Sequence, residues 1–330
     1  MSAIAVFHGY EFRNNACGQG PDIYRASASL AFASTCSATT ENFGNGHLQC
    51  VGCVKDMPQF QLRSDCKVEV SASSANSQST FEDSIITGTT ITLSSGFTVA
   101  SEIVILEVTG LKVNGGGFTV SGGYALDPFG NPVAASSRIF YVANAAELTI
   151  SNLILTNGYA KAASYGGQFG GAIYVGSGVR IVLDFCTFTN NLAVTGYGGA
   201  LNLGRDLAGS TTGITATLTS CTFSGNSATT NGYGAGLFIG AGVIVTITDC
   251  AFTNNVGAYY GGGIAQYQES TATLTRVTFT SNAATYLGGA YFMGGPASCV
   301  TSLSSCTFTS NTAAYRGGAV SSHDVASSKS

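Results

Sequence analysis

Cys186-Thr187-Phe188-Thr189-Asn190-Asn191 opens a phrase that closes with Tyr197-Gly198-Gly199-Ala200-Leu201. It returns as Cys221-Thr222-Phe223-Ser224-Gly225-Asn226 with Tyr233-Gly234-Ala235-Gly236-Leu237, and as Cys250-Ala251-Phe252-Thr253-Asn254-Asn255 with Gly261-Gly262-Gly263-Ile264. Two further copies are Val277-Thr278-Phe279-Thr280-Ser281-Asn282 with Gly288-Gly289-Ala290-Tyr291, and Cys306-Thr307-Phe308-Thr309-Ser310-Asn311 with Gly317-Gly318-Ala319-Val320. With Leu155 as the first equivalent of the Phe, positions 155, 188, 223, 252, 279 and 308 are separated by 33, 35, 29, 27 and 29 residues. A period of this size marks a stacked array, and unequal steps mean loops of unequal length on a constant frame.

The columns of the repeat decide what is stacked. Five residues before the Phe stand Ile150, Leu183, Leu218, Ile247, Leu274 and Leu303; two before it stand Leu153, Cys186, Cys221, Cys250, Val277 and Cys306. Between these apolar positions lie mostly Thr and Ser. Alternation with period two is the signature of half-buried strands and excludes a helical repeat. A propeller blade needs four antiparallel strands in about 40–45 residues, more than the short steps supply. The sequence therefore predicts an all-β right-handed single-stranded parallel β-helix, a β-solenoid with about three short strands per rung.

In that arrangement like residues stack on like. Phe188, Phe223, Phe252, Phe279 and Phe308 form an inner column. Asn191, Asn226, Asn255, Asn282 and Asn311 form a ladder of side-chain amides at a corner, and the glycine pairs take the next corner, where backbones approach closely. Gly234-Ala235-Gly236 reads as a permuted pair. Cys186, Cys221, Cys250 and Cys306 share an inward column and are expected as buried thiols behaving as small hydrophobes, with a link between adjacent rungs as the alternative.

The phrases resemble the Phe-x-x-Asn and Gly-Gly-Ala-Ile repeats of the chlamydial polymorphic outer membrane proteins and related microbial β-helix proteins, over roughly residues 147–320. The resemblance implies a right-handed parallel β-helix displayed at the cell surface, with adhesion as its usual role.

The remaining chain divides by composition. Residues 1–70 hold five of the ten cysteines (Cys17, Cys36, Cys50, Cys53, Cys66) and read as a Cys-bearing N-terminal segment or cap. Disulfides are expected there; zinc held by His47, Cys50, Cys53 and Cys66 is the alternative. Residues 71–80 read as a polar linker, 81–146 as irregular first rungs with Phe81-Glu82-Asp83-Ser84 as a short cap over the open end, 147–320 as regular repeats, and 321–330 as a tail. Residues 123–137 read as a loop leaving the stack. The first ten residues lack a basic stretch followed by a long apolar core, so no secretory signal is read, and a longer gene product is expected.

Charged residues are only 9% and the net charge is −4 with no basic run, so nucleic acid is not an expected partner. No apolar stretch is long enough for a membrane helix. No cofactor and no metal are expected. The binding residues predicted are the outward hydroxyls beside the Phe column: Thr187, Thr189, Thr222, Ser224, Thr253, Thr278, Thr280, Thr307 and Thr309. Thr217, Thr219, Thr246, Thr248, Thr273 and Thr275 repeat the spacing one strand earlier. The function expected is a non-catalytic, adhesin-like extracellular scaffold that binds glycans or cell surfaces through outer strands and loops. Two alternatives remain. A β-helix polysaccharide lyase or glycoside hydrolase needs carboxylates converging on one cleft, and Asp184, Asp206, Asp249, Glu269 and Asp324 are thinly spread. An ice-binding surface would use the Thr array, although Thr is also simply a good strand former.

Overall fold

The computed structural model describes residues 73–324, apart from 127–135, 162–166, 195, 205–212, 230, 258 and 296–298, together with three short strands nearer the N-terminus. Those strands, Tyr10–Phe12, Asn42–Phe43 and Gly46–Leu48, form a small mixed sheet. Cys17, Cys36, Cys50, Cys53 and Cys66 lie outside the described residues, as does the His47 side chain, and with them the disulfide and zinc readings.

From Thr90 onward the chain circles a single core. One circuit runs through Ile173–Val175 on a first face, Arg180–Asp184 on a second, Thr187–Thr189 on a third and Leu192–Val194 on a short fourth. Each strand pairs in parallel with its equivalent one circuit away, and the sheets hold 8, 9, 8 and 6 strands. The fold is a parallel β-helix. Register follows the columns: Phe188 pairs with Phe223, Phe223 with Phe252, Phe252 with Phe279, and Phe279 with Phe308. The expected three strands per rung become four. The fourth is only two or three residues long, and its inward file is small (Ala160, Ala193, Ala228, Gly257, Ala284), so it lacks the large apolar side chains that announce a strand.

Two tight bends frame the third face. One residue in the left-handed region precedes each Cys-column position: Phe185, Ser220, Asp249, Arg276 and Ser305 have φ of 52–55°. Another precedes each ladder Asn: Asn190, Gly225, Asn254, Ser281 and Ser310. This conformation is uncommon for side-chain-bearing residues. Backbone bonds between circuits offset its cost, as where Phe185 N–H donates to Thr219 O (2.9 Å) and Asn190 N–H to Ser224 O (3.1 Å). At the first-face corner glycine is required. Gly261 has φ of +64° and an added Cβ would lie 2.2 Å from Ile264 O. Gly234 keeps that conformation, so Gly234-Ala235-Gly236 is a substitution inside the corner rather than a shift of it.

The core is the column set seen edge-on. Phe188, Phe223, Phe252 and Phe279 are fully buried, and successive rings stack with centroids 4.5–5.2 Å apart out to Phe308. Each contributes roughly 1.5–3 kcal/mol of burial, available only because the neighbouring circuit supplies the other wall.

From Ser73 to Thr80 the expected linker is strand and helix instead. Ser73–Ala75 pairs with Ile91–Leu93 on the second face, and Gln78–Glu82 is a helix capped by Ser77 in a capping box with Thr80. Its polar composition is that of a helix start. Phe81 is fully buried, 6.1 Å from the Phe97 ring and 5.6 Å from Phe140, over the first circuits. The tail is likewise shorter than expected, because Val320–Asp324 pairs with Tyr291–Gly295 on the first face.

Candidate binding surface

The ladder residues face inward and touch nothing outside. Asn226 is buried, and its Oδ1 accepts from the backbone N–H (3.0 Å) and the Nδ2 (2.9 Å) of Asn191. Its own Nδ2 donates to Phe188 O (3.0 Å) and to Asn255 Oδ1 (2.9 Å). The pattern repeats through Asn255 and Asn282 to Asn311. Cys186, Cys221 and Cys250 are buried free thiols donating to backbone carbonyls, and Cys306 is half-buried and free. Hydrogen bonds with its neighbours Cys186 and Cys250, then burial, push the Cys221 thiol far above the usual thiol range.

The predicted hydroxyls lie on the third face in two files. One runs Thr187, Thr222, Ala251, Thr278, Thr307 and the other Thr189, Ser224, Thr253, Thr280, Thr309, in register circuit by circuit. Along a strand the files are roughly 6.6 Å apart, and circuits repeat at about 4.8 Å. Ala251 interrupts the first file. Among the described residues none of these hydroxyls makes a side-chain hydrogen bond within the protein. The second face continues the array with Thr217, Thr246 and Thr273 exposed. At the bend between the two faces Phe185 projects, 61% exposed.

A second surface was not anticipated. Outward from the first face stand Tyr174, Phe238 and Phe292, all at most 3% exposed because something covers them. Over Phe238 and Phe292 the cover is tyrosine from the stretch leading into the glycine corner, whereas Tyr174 lies against Tyr141 (5.1 Å) and Arg138. Tyr197 stacks on Phe238 (4.9 Å) and Tyr260 on Phe292 (4.3 Å). One residue before the Tyr260 column, Tyr259, Tyr286 and Tyr315 stack in series at 4.9 and 4.8 Å. Leu287 closes this outer cluster, and the Asn202 amide beneath donates to Tyr197 O (3.1 Å). Burial, then the neighbouring Tyr259 and Tyr286, push the Tyr260 phenol up to about 12; burial and the surrounding phenols raise Tyr233 as well. The sequence carried a signal. Ile173-Tyr174-Val175 and Leu237-Phe238-Ile239 do not alternate, and a strand apolar on both sides is covered on both sides.

The acids do not form a described cluster. Asp249 sits at a bend and is paired with Arg276 (2.6 and 2.8 Å), both exposed. Asp184 ends its second-face strand and Glu269 sits at a separate turn. Asp206 and the Asp324 side chain lie outside the described residues. Among the described residues no group of three or more His, Cys, Asp or Glu could hold a metal. A buried ion pair is structural in form. Arg138, fully buried, meets Glu102 at 2.8 Å and donates to the carbonyls of Phe169, Gly170 and Gly167, tying the incoming corner segment to the first face. No helix of the described residues is long and apolar enough to cross a membrane.

Four parallel ladders around an in-register core, with hydroxyls and tyrosines outside, define a solenoid whose chemistry is confined to its surface. The family model described as "Right handed beta helix region" matches residues 101–328, and the chain belongs to that family. Comparison with curated proteins and with solved structures gave no match. The family includes enzymes and adhesin-like proteins, so membership leaves function to be argued from the surface.

Proposed function

We propose that this chain is a non-catalytic, adhesin-like scaffold that works outside the cell and binds glycans or cell surfaces through its outer strands and loops. The observation that carries this reading is the register of the outward Thr and Ser files, whose side-chain hydroxyls make no hydrogen bond among the described residues. Uncharged donor–acceptor groups at fixed intervals suit polyhydroxylated ligands, since each hydroxyl both donates and accepts. A rigid frame presents them at little entropic cost. The repeat resemblance to the chlamydial outer membrane proteins points the same way. The test is retention of the purified protein on glycan arrays and on intact cells, with cell fractionation for location. Retention on hydroxyl-rich glycans is the expected result; a clean negative on both supports refutes the reading.

The same in-register files favour one second reading, an ice-binding face. It predicts thermal hysteresis that disappears in Thr222→Tyr or Thr280→Tyr. An unchanged freezing point with the native protein removes it.

A further inference from the structure

The glycine-corner edge of the solenoid carries a strip of tyrosines that no inner column requires. Tyr197, Tyr233 and Tyr260 recur once per circuit, with Tyr286 and Tyr315 continuing the line toward the last described circuit. We propose that this strip is the binding site for a neutral, extended polysaccharide lying parallel to the helix axis. The proposal rests on the glycan-binding reading above, adds a second contact line to its hydroxyl files, and names the class of glycan that line takes.

Three features carry it. The first is charge. Residues 231–237, 257–264 and 284–291 contain no charged side chain, and Arg316, at the end of the strip, is held over the Tyr315 ring at 4.9 Å. An acidic polysaccharide would find almost nothing to pair with, whereas a neutral one loses nothing by that absence. The second is rigidity. The rings of Tyr197, Tyr233, Tyr260 and Tyr286 are half-buried and packed on Phe238, Leu287 and Phe292, with only Tyr315 exposed, so little side-chain freedom remains to be lost, and tyrosine has only two side-chain torsions to fix. The third is direction. Successive circuits place phenols about 4.8 Å apart along the axis. Because Tyr259, Tyr286 and Tyr315 stack face to face, they offer edges and hydroxyls outward rather than open ring faces. A ligand is therefore read by hydrogen bonds along a line, and a chain of sugars running with the axis engages several circuits at once. Affinity should then rise with chain length until the strip is filled.

The experiment is titration calorimetry with the full chain. The probes are neutral β-1,4-linked glucose and N-acetylglucosamine oligosaccharides of increasing length and an acidic galacturonate hexasaccharide. The variants are Tyr233→Phe/Tyr286→Phe, which keeps the packing and removes two hydroxyls, and Thr222→Tyr/Thr280→Tyr, which blocks the third face. The expected result is tighter binding of longer neutral oligosaccharides, weakened roughly tenfold or more by loss of two phenol hydrogen bonds, and weakened less by the Thr-face variant. Full binding by the Phe variant with loss in the Thr-face variant overturns the strip while leaving the glycan reading intact. Preference for the acidic hexasaccharide also overturns the strip alone. No binding of any probe overturns the strip, and with silent glycan arrays the broader reading falls too.

Discussion

Replacing Asn255 by Ala isolates the amide ladder from the Phe stack beside it. Asn255 Oδ1 accepts from Asn226 N–H (3.1 Å) and Asn226 Nδ2 (2.9 Å), and its Nδ2 donates to Phe223 O (2.9 Å) and Asn282 Oδ1 (2.9 Å). Alanine removes all four bonds. Asn282 Oδ1 keeps a partner, the Asn255 backbone N–H at 3.1 Å. Two buried groups lose theirs, the Asn226 N–H and one Asn226 amide hydrogen, while the Phe223 carbonyl stays in the backbone ladder with the next circuit. At about 1–3 kcal/mol for each buried unsatisfied group, and with incomplete additivity inside one network, the loss should be roughly 2–5 kcal/mol. The control is Asn311→Ala, which removes the equivalent bonds in the last described circuit, where Asn311 is half-buried. Water can replace the partners there, so the expected loss is about 1 kcal/mol. Urea denaturation followed by far-UV circular dichroism measures both. Hydrogen exchange of the flanking strands should accompany it, because repeat arrays can open locally rather than all at once. Equal losses for the two variants, or a loss below about 1 kcal/mol at Asn255, would refute the claim that buried amides hold the circuits together.

Three other perturbations follow from the same frame. Phe252→Ala opens the stack between the Phe223 and Phe279 rings (4.6 and 5.2 Å) and should cost about 3–5 kcal/mol in denaturant titration; a loss near zero would mean the column is not what the circuits rest on. Arg138→Met leaves Glu102 and three carbonyls without their donor and should cost about 3–5 kcal/mol. Arg138→Lys should recover little, since one ammonium lacks the planar fork that reaches several acceptors; full recovery by Lys would contradict the assignment. Alkaline titration should unfold the protein through its phenols. Tyr260 is pushed up to about 12, and Tyr233, Tyr267 and Tyr291 are also raised, burial being the largest cause in each. An unfolded tyrosine ionises near 10, so above that pH the unfolded chain holds fewer protons than the folded one. Stability is therefore full below about pH 10 and falls as pH rises toward 12. Tyrosinate absorbance should show late-ionising phenols titrating together with loss of β signal; ionisation of all phenols near 10 with the fold intact would refute this.

The third face was legible because in-register stacking forces one residue type into one position circuit after circuit. Phe223 above Phe188 and Asn226 above Asn191 are a single constraint written twice. The fourth ladder escaped because alanine and glycine fill its inward file, and small residues carry no period-two contrast. The helix at Gln78–Glu82 escaped because its capping serine and threonine look like linker composition. The tyrosine strip escaped for another reason. Tyr233 and Tyr260 are followed in the same column by Leu287 and Arg316, so the file is impure, and its partners on the first face are visible only as strands that fail to alternate. The Thr files and the gap at Ala251 were both legible in the repeat phrases, and the ladder sets them in register circuit by circuit.

Inside and outside of this solenoid are therefore under different kinds of constraint, even for adjacent residues. Phe223 is fully buried between two rings, so truncating it is felt by three circuits. Thr222 beside it is half-exposed and makes no side-chain hydrogen bond, so exchanging it for another strand-forming residue touches little beyond β-propensity, a scale spanning about 1 kcal/mol. Two neighbours in one three-residue strand thus differ several-fold in what their replacement does to stability. The outer positions can change while Phe, Asn and Gly hold the frame. The tyrosine strip differs from the Thr files in this respect, because its inner edge also covers Phe238 and Phe292. Removing a ring there uncovers the first face, whereas removing only a hydroxyl leaves the cover in place. The Tyr→Phe exchange therefore separates the hydroxyl from the packing at this edge, as exchange of Thr does on the third face.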